Sequence, residues 1–131
     1  MSDADLVAAA ITAMSHAYAP YSTFCVGAAI RDENGHIYSG ANVENAAYPQ
    51  GACAEVGAIS AMIMAGGRKI DAIAVAGNGD VLCTPCGGCR QRIREFAEAS
   101  TPIVIADATG ERARFTLAEM LPHSFGPDNL R

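Results

Sequence analysis

The stretch Ile70-Asp71-Ala72-Ile73-Ala74-Val75-Ala76 decides the reading of the fold. It is a short, nearly continuous apolar run, the pattern of a strand covered on both faces. Helical segments flank it. Upstream, Cys53 to Ala65 is rich in alanine and stops at Gly66-Gly67, a pair suited to a helix C-terminus. Downstream, Gly77 to Pro85 reads as a loop and Cys86 to Ala97 as a helix with Ile93 and Phe96 inward. Ile103-Val104-Ile105 is a second buried strand, and Thr116 with Glu119 forms a capping box for a short helix.

Nearer the N-terminus, Phe24 to Arg31 is strand-like, with Phe24, Val26, Ala28 and Ile30 alternating. Asn34-Gly35, within Asp32-Glu33-Asn34-Gly35, is a strong hairpin turn, and His36 to Asn45 reads as the return strand running into a loop. Tyr48-Pro49-Gln50-Gly51 interrupts regular structure. Ser2 caps a first helix, in which Leu6, Val7, Ala10, Ile11, Met14 and Tyr18 recur at helical spacing until Pro20 stops it. Pro122 to Arg131 is an irregular tail. This order, α-β-β-α-β-α-β with room for a fifth strand before the last helix, predicts a single α/β domain over residues 1–131, three-layer α/β/α around a mixed five-stranded sheet. The hairpin supplies antiparallel pairing and the later crossovers parallel pairing.

Of the 131 residues, 50% are hydrophobic and 18% charged, which excludes a disordered chain. The net charge of −5 argues against a nucleic-acid polymer or an anionic membrane as partner, since both reward positive fields. No apolar stretch approaches the roughly 20 residues of a membrane span. The acidic start, Met1-Ser2-Asp3-Ala4-Asp5, lacks the basic and apolar regions of a secretion signal, so a cytoplasmic location is expected. In that reducing compartment the five cysteines point to metal or catalysis before disulfides.

Cys53-Ala54-Glu55 and Pro85-Cys86-Gly87-Gly88-Cys89 each open a predicted helix. Helix N-termini favour thiolate, the form of cysteine that binds metal. Cys86 and Cys89, at i and i+3, face one point, and Cys53 completes a set if the two helix starts meet. Three protein ligands leave zinc an open fourth position, the mark of a catalytic site. Glu55, in the first turn beside a ligand, is placed to move protons without itself binding metal. Each part alone has a plainer reading: a redox dithiol or half a structural zinc site for the cysteine pair, dipole compensation for Glu55. Cys83 is a rival ligand, Cys25 a small buried hydrophobe, and His16, His36 and His123 bear no spacing relation to the cysteines.

The combination Cys-x-Glu with Pro-Cys-x-x-Cys is the zinc-deaminase signature in its three-cysteine form. Together with Ala19-Pro20-Tyr21-Ser22, Phe24 and Val26-Gly27-Ala28-Ala29, Gly40-Ala41-Asn42-Val43-Glu44-Asn45-Ala46-Ala47-Tyr48, Arg90-Gln91 after the last cysteine, and Leu121-Pro122-His123-Ser124-Phe125-Gly126, it makes the chain resemble the small homotetrameric cytidine deaminases over nearly its whole length. The resemblance implies one Zn²⁺ per subunit on Cys53, Cys86 and Cys89, with Glu55 as proton shuttle. It implies that Asn42 and Glu44 hold the ribose hydroxyls, that Phe24 packs on the nucleoside and that backbone near Ala54 meets the base carbonyl. Phe125 would cover the base in a neighbouring subunit's site, so a homotetramer with shared sites is expected. Phe24 also reads as a core strand residue, Phe125 as an interface plug, and Asn42 and Glu44 as a turn-forming pair. The helical face around Met62, Ile63 and Met64 is either an interface or ordinary core.

The implied reaction is hydrolysis of cytidine and 2′-deoxycytidine to uridine and 2′-deoxyuridine with release of ammonia, a step of pyrimidine salvage. The substrate is expected to be a free nucleoside, since no cationic cluster accompanies the hydroxyl-binding segment and acceptor-only Glu44 repels phosphate. Alternatives are a blasticidin-type aminopyrimidine deaminase, a structural zinc module and a dithiol oxidoreductase. One departure stands out: where the family often carries an arginine after Cys-Ala-Glu, this chain has Val56. Three thiolates on Zn²⁺ sum to −1, and Arg90, or failing that Arg92, is expected to offset the charge left by the two helix N-termini.

Overall fold

The computed structural model describes Met1–Arg131. In chain order the elements are α1 (Asp3–Met14), β1 (Val26–Asp32), β2 (Ile37–Ala41), α2 (Ala54–Met64), β3 (Ile70–Gly77), α3 (Gly87–Arg94), β4 (Pro102–Asp107), β5 (Gly110–Thr116) and α4 (Leu117–Met120), with short 3₁₀ turns at Tyr48–Gln50 and Pro127–Leu130. The sheet order is β2-β1-β3-β4-β5, which puts the apolar run at the centre. Only β3 and β4 pair in parallel; β1 is antiparallel to both β2 and β3, and β4 to β5.

Two cores sandwich the sheet. On one face α1 packs Leu6, Val7, Ala10 and Met14 over Ala29, Ala72, Ala74, Ala76 and Val104. On the other, α2, α3 and α4 bring Ala58, Met62, Ile93 and Leu117 onto Ile30, Ile73, Val75, Ile103 and Ile105. Alanines dominate the first face, so α1 sits close to the strands. The division follows from the period of two along each strand. It also explains why β1 does not alternate as predicted: Gly27 and Ala29, small and inconspicuous in sequence, are as buried under α1 as Ala28 and Ile30 are under α2.

The predicted Ser2 cap and the predicted Thr116–Glu119 capping box form, and Asp5 turns the first into a capping box as well. Asp5 N donates to Ser2 Oγ and Glu119 N to Thr116 Oγ1, each at 3.2 Å. Gly66 takes φ 97° after α2, the left-handed turn that ends the helix. The first helix is shorter than its periodicity suggested. It ends at Met14, and the chain leaves to pair with another loop: Tyr18 N donates to Asn42 O at 2.9 Å and Glu44 N to Tyr18 O at 2.8 Å. Phe24 lies before β1 and is 41% exposed, which removes the reading of it as a core strand residue. Met62 is core while Met64 is 87% exposed, so the Met62–Met64 segment is not one uniform face.

Gly40 positions the site. A Cβ built there would stand 2.5 Å from Ala58 N and 2.6 Å from Ala54 O, so β2 and α2 touch backbone to backbone. That contact fixes the N-terminal turn of α2 against the sheet.

Candidate metal and catalytic centre

Two helices begin at one place. Cys53 is the N-cap of α2 and Cys86 the N-cap of α3, both in extended backbone, and Cys89 lies in the first turn of α3. The three Sγ atoms fall within 4.8 Å of one another, and no other His, Cys, Asp or Glu joins this group. Tetrahedral zinc with bonds of about 2.3 Å to sulfur places its sulfurs roughly 3.8 Å apart, so the trio fits such an ion with little adjustment. Cys83 lies outside the group; its sulfur packs against Gly77, and burial pushes its thiol up to about 11. Cys25 is half-buried at the edge of the α1 core. The three histidines are exposed and take no part.

The sulfurs differ electrostatically. The backbone N–H groups of Cys89 and Gly88, at the start of α3, hold the Cys86 thiol below its ordinary value, although neither closes a capping hydrogen bond. Burial raises Cys53 and, more strongly, Cys89, with Glu55 adding its charge in the same direction. The helix termini therefore win only at the exposed cysteine. At the other two, desolvation outweighs them, and a cation is the natural means of making them thiolates.

Glu55 is 4% exposed, in the first turn of α2 and beside Cys89. Burial holds its carboxyl above the usual carboxylate range; the contact with Cys89 and the charge of Arg92 act in the opposite sense. An elevated carboxyl is what a group needs to accept and return protons near neutral pH. Ala54 is fully buried between Cys53 and Glu55.

Asn42 and Glu44 are brought together with Phe24 by an interlocked set of bonds. Asn42 Oδ1 accepts from Val26 N at 2.9 Å, and its Nδ2 donates to Phe24 O at 2.9 Å. Glu44 Oε1 accepts from Tyr21 N at 2.9 Å and Ser22 N at 3.1 Å, and Ser22 Oγ donates closely to Glu44 Oε2. By valence, one amide N–H of Asn42 and one acceptor site of Glu44 remain free. Ser22 belongs to the Ala19-Pro20-Tyr21-Ser22 stretch, but a serine in a loop carries no signal that Glu44 is its partner.

Phe125 is 59% exposed on the tail. The tail is pinned to α3: Gln91 Nε2 donates to Phe125 O at 2.8 Å and Arg94 Nε to Ser124 Oγ at 3.0 Å. The arginines of α3 also correct one expectation. Arg90, adjacent to Cys89 in sequence, turns away and donates to Pro85 O, Met120 O and Thr84 Oγ1. Arg92 is the one that meets sulfur, with Nη1 donating to Cys89 Sγ at 3.5 Å.

The pattern described as "Cytidine and deoxycytidylate deaminase zinc-binding region" matches residues 1–105. A cytidine deaminase of Sporosarcina psychrophila is 40% identical over 125 residues, covering 95% of this chain and 92% of its own. One from Mycobacterium tuberculosis is 39% identical over 122 residues, covering 92% and 87%. The crystal structure of cytidine deaminase from Burkholderia pseudomallei superposes with a TM-score of 0.88 at 38% identity, covering 95% of this chain and all (100%) of that one.

Proposed function

The chain belongs to the cytidine and deoxycytidylate deaminase family, and we propose that Glu55, next to a zinc ion held by Cys53, Cys86 and Cys89, moves the protons by which cytidine exchanges its amino group for oxygen. The enzyme is a zinc-dependent hydrolase that deaminates cytidine. The observation that carries the residue assignment is the convergence of three sulfurs from two helix starts upon one buried carboxylate. Zinc bound there supplies Lewis acidity, enough to let water ionise near neutral pH.

Glu55 takes a proton from water and passes it to ring N3, which leaves C4 electron-poor. The hydroxyl adds to C4. Glu55 then carries the hydroxyl proton to the amino group, the C4–N bond breaks, and ammonia departs as the C4 carbonyl forms. Both transfers use one carboxyl, which its burial makes basic enough to take the first proton while, as a carboxylic acid, it still gives up the second.

Asn42 and Glu44 grip the ribose. Their unused N–H and acceptor match the acceptor and donor of sugar hydroxyls, while the remaining bonds hold both side chains still. Phe24, anchored by its carbonyl to Asn42, packs on the nucleoside, and the buried turn at Ala54 meets the base carbonyl. The same contacts admit 2′-deoxycytidine. Glu44 disfavours phosphate, so the substrate is the free nucleoside and the reaction one of pyrimidine salvage. Residues 1–131 act as one domain, supported by a single sheet from end to end.

The assembly is a homotetramer in which Phe125, exposed on a tail held rigid by Gln91 and Arg94, enters a neighbour's site. The location is cytoplasmic, in keeping with five free cysteines; no helix is long and apolar enough to cross a membrane. The test is Glu55→Gln. It should keep its fold and one zinc per chain while cytidine turnover, followed by ultraviolet absorbance, drops by about 10²–10⁴-fold or more. A variant that turns over cytidine like the wild type contradicts the assignment.

A further inference from the structure

Three thiolates and one dication carry a formal charge of −1, and the two helix N-termini supply only partial charges against it. Val56, immediately after Glu55, offers nothing ionic. The three arginines of α3 divide their attention. Arg90 is committed to Pro85, Met120 and Thr84, and Arg94 to Ser124 and Asp128. Arg92 alone of them reaches sulfur, at 3.5 Å from Cys89.

Helical geometry explains the choice. Arg92 stands one turn beyond Cys89, so its side chain shares the face of that sulfur, whereas Arg90 is rotated about 100° away. Its guanidinium also passes close to Gly88, where a built Cβ would meet Nη1 at 3.4 Å. On its far side Arg92 shares a cleft of about 350 Å³ with Val56 and Ile59 of α2 and with Phe96. Positions 56 and 92 therefore open onto one space from opposite helices. A short side chain at one leaves room for a long one at the other.

We propose that Arg92 is the positioning residue that neutralises and orients the three-sulfur centre, reaching it from α3 across the space that Val56 leaves open. A guanidinium suits this role because it stays charged, is weakly hydrated, and offers several N–H donors in a fixed plane. This rests on the reading of the trio as the zinc site, and the test separates the two. Zinc affinity is measured by competition with a chromophoric chelator on folded, zinc-loaded protein. Alongside it, the sulfur-to-metal charge-transfer band of the cobalt-substituted protein is recorded.

Arg92→Gln should weaken zinc about 10–100-fold, as loss of an outer hydrogen-bond partner does at other metal sites, and should shift the cobalt band. Arg92→Lys should recover most of the affinity, because it restores the charge. The exchange Val56→Arg with Arg92→Val should restore it too, because the cation then enters the same cleft from α2. Wild-type affinity in Arg92→Gln overturns the proposal, and so does an Arg92→Lys variant as weak as Arg92→Gln. If the wild type takes up no zinc at all, the zinc reading falls first and this one with it.

Discussion

Replacing Gly40 with alanine should damage both stability and catalysis, from a position that touches no substrate. The added Cβ would lie 2.5 Å from Ala58 N and 2.6 Å from Ala54 O. Ordinary contact begins near 3.4 Å, so α2 must retreat from β2 by roughly 1 Å or the strand must buckle. The neighbours are helix backbone and cannot swing aside. Overpacking of this kind costs about 1–3 kcal/mol, which for a chain of this length lowers the melting temperature by several degrees. The helix that moves carries Cys53 and Glu55 at its start, while Cys86 and Cys89 stay on α3. A displacement of about 1 Å between groups that must act together can reduce turnover about 10²-fold. Thermal unfolding of the zinc-loaded protein and kcat/KM for cytidine measure the two effects. A Gly40→Ala protein with wild-type melting and wild-type kcat/KM would refute the claim that this contact sets the register of the two helix starts.

Cys89→Ser should abolish stoichiometric zinc binding, whereas Cys83→Ser should retain one zinc per chain, as elemental analysis of dialysed protein would show. Asp3 ties α1 to the sheet through Arg31 of β1 and Arg114 of β5, each at 2.7 Å. Those arginines hold its carboxyl below the ordinary carboxylate value, so the folded state binds its proton less readily than the unfolded state does. The stabilisation is complete above the unfolded value and disappears as pH falls through the lowered folded one. Because Asp3 is partly exposed, Asp3→Asn should cost only about 0.5–1 kcal/mol at pH 7 and progressively less as the pH falls below the ordinary carboxylate range, by denaturant unfolding across that range. Phe125→Ala should raise KM for cytidine about tenfold or more while each chain still binds its zinc, and a KM equal to that of the wild type would remove Phe125 from the site.

The parts of the fold that were legible from sequence are those whose cause is local. β3 announces itself because a strand covered on both faces must be apolar throughout. The Ser2 cap, the Thr116–Glu119 capping box and the glycine stop after α2 are short-range chemistry. The overrun of α1 to Tyr18 had a distant cause, since Tyr18 leaves the helical path for backbone partners at Asn42 and Glu44. Burial of Gly27 and Ala29 was hidden because small residues show no hydropathy contrast. At the site, the trio and Glu55 were readable from spacing on two helix starts. The cation was not: adjacency along the chain pointed to Arg90, but a helix places the residue three positions on, not one, over a given side chain. Ser22 on Glu44 needed the fold itself, since 22 residues of chain separate the pair.

The centre is most directly tested by X-ray absorption at the zinc edge of the loaded protein. Three sulfurs at about 2.3 Å and one lighter scatterer are the expected shell, because Cys53, Cys86 and Cys89 are the side chains whose ligand atoms lie within 4.8 Å of one another. Four sulfurs, or three sulfurs and a histidine ring, would mean a closed structural ion with no room for reacting water, and would contradict the account.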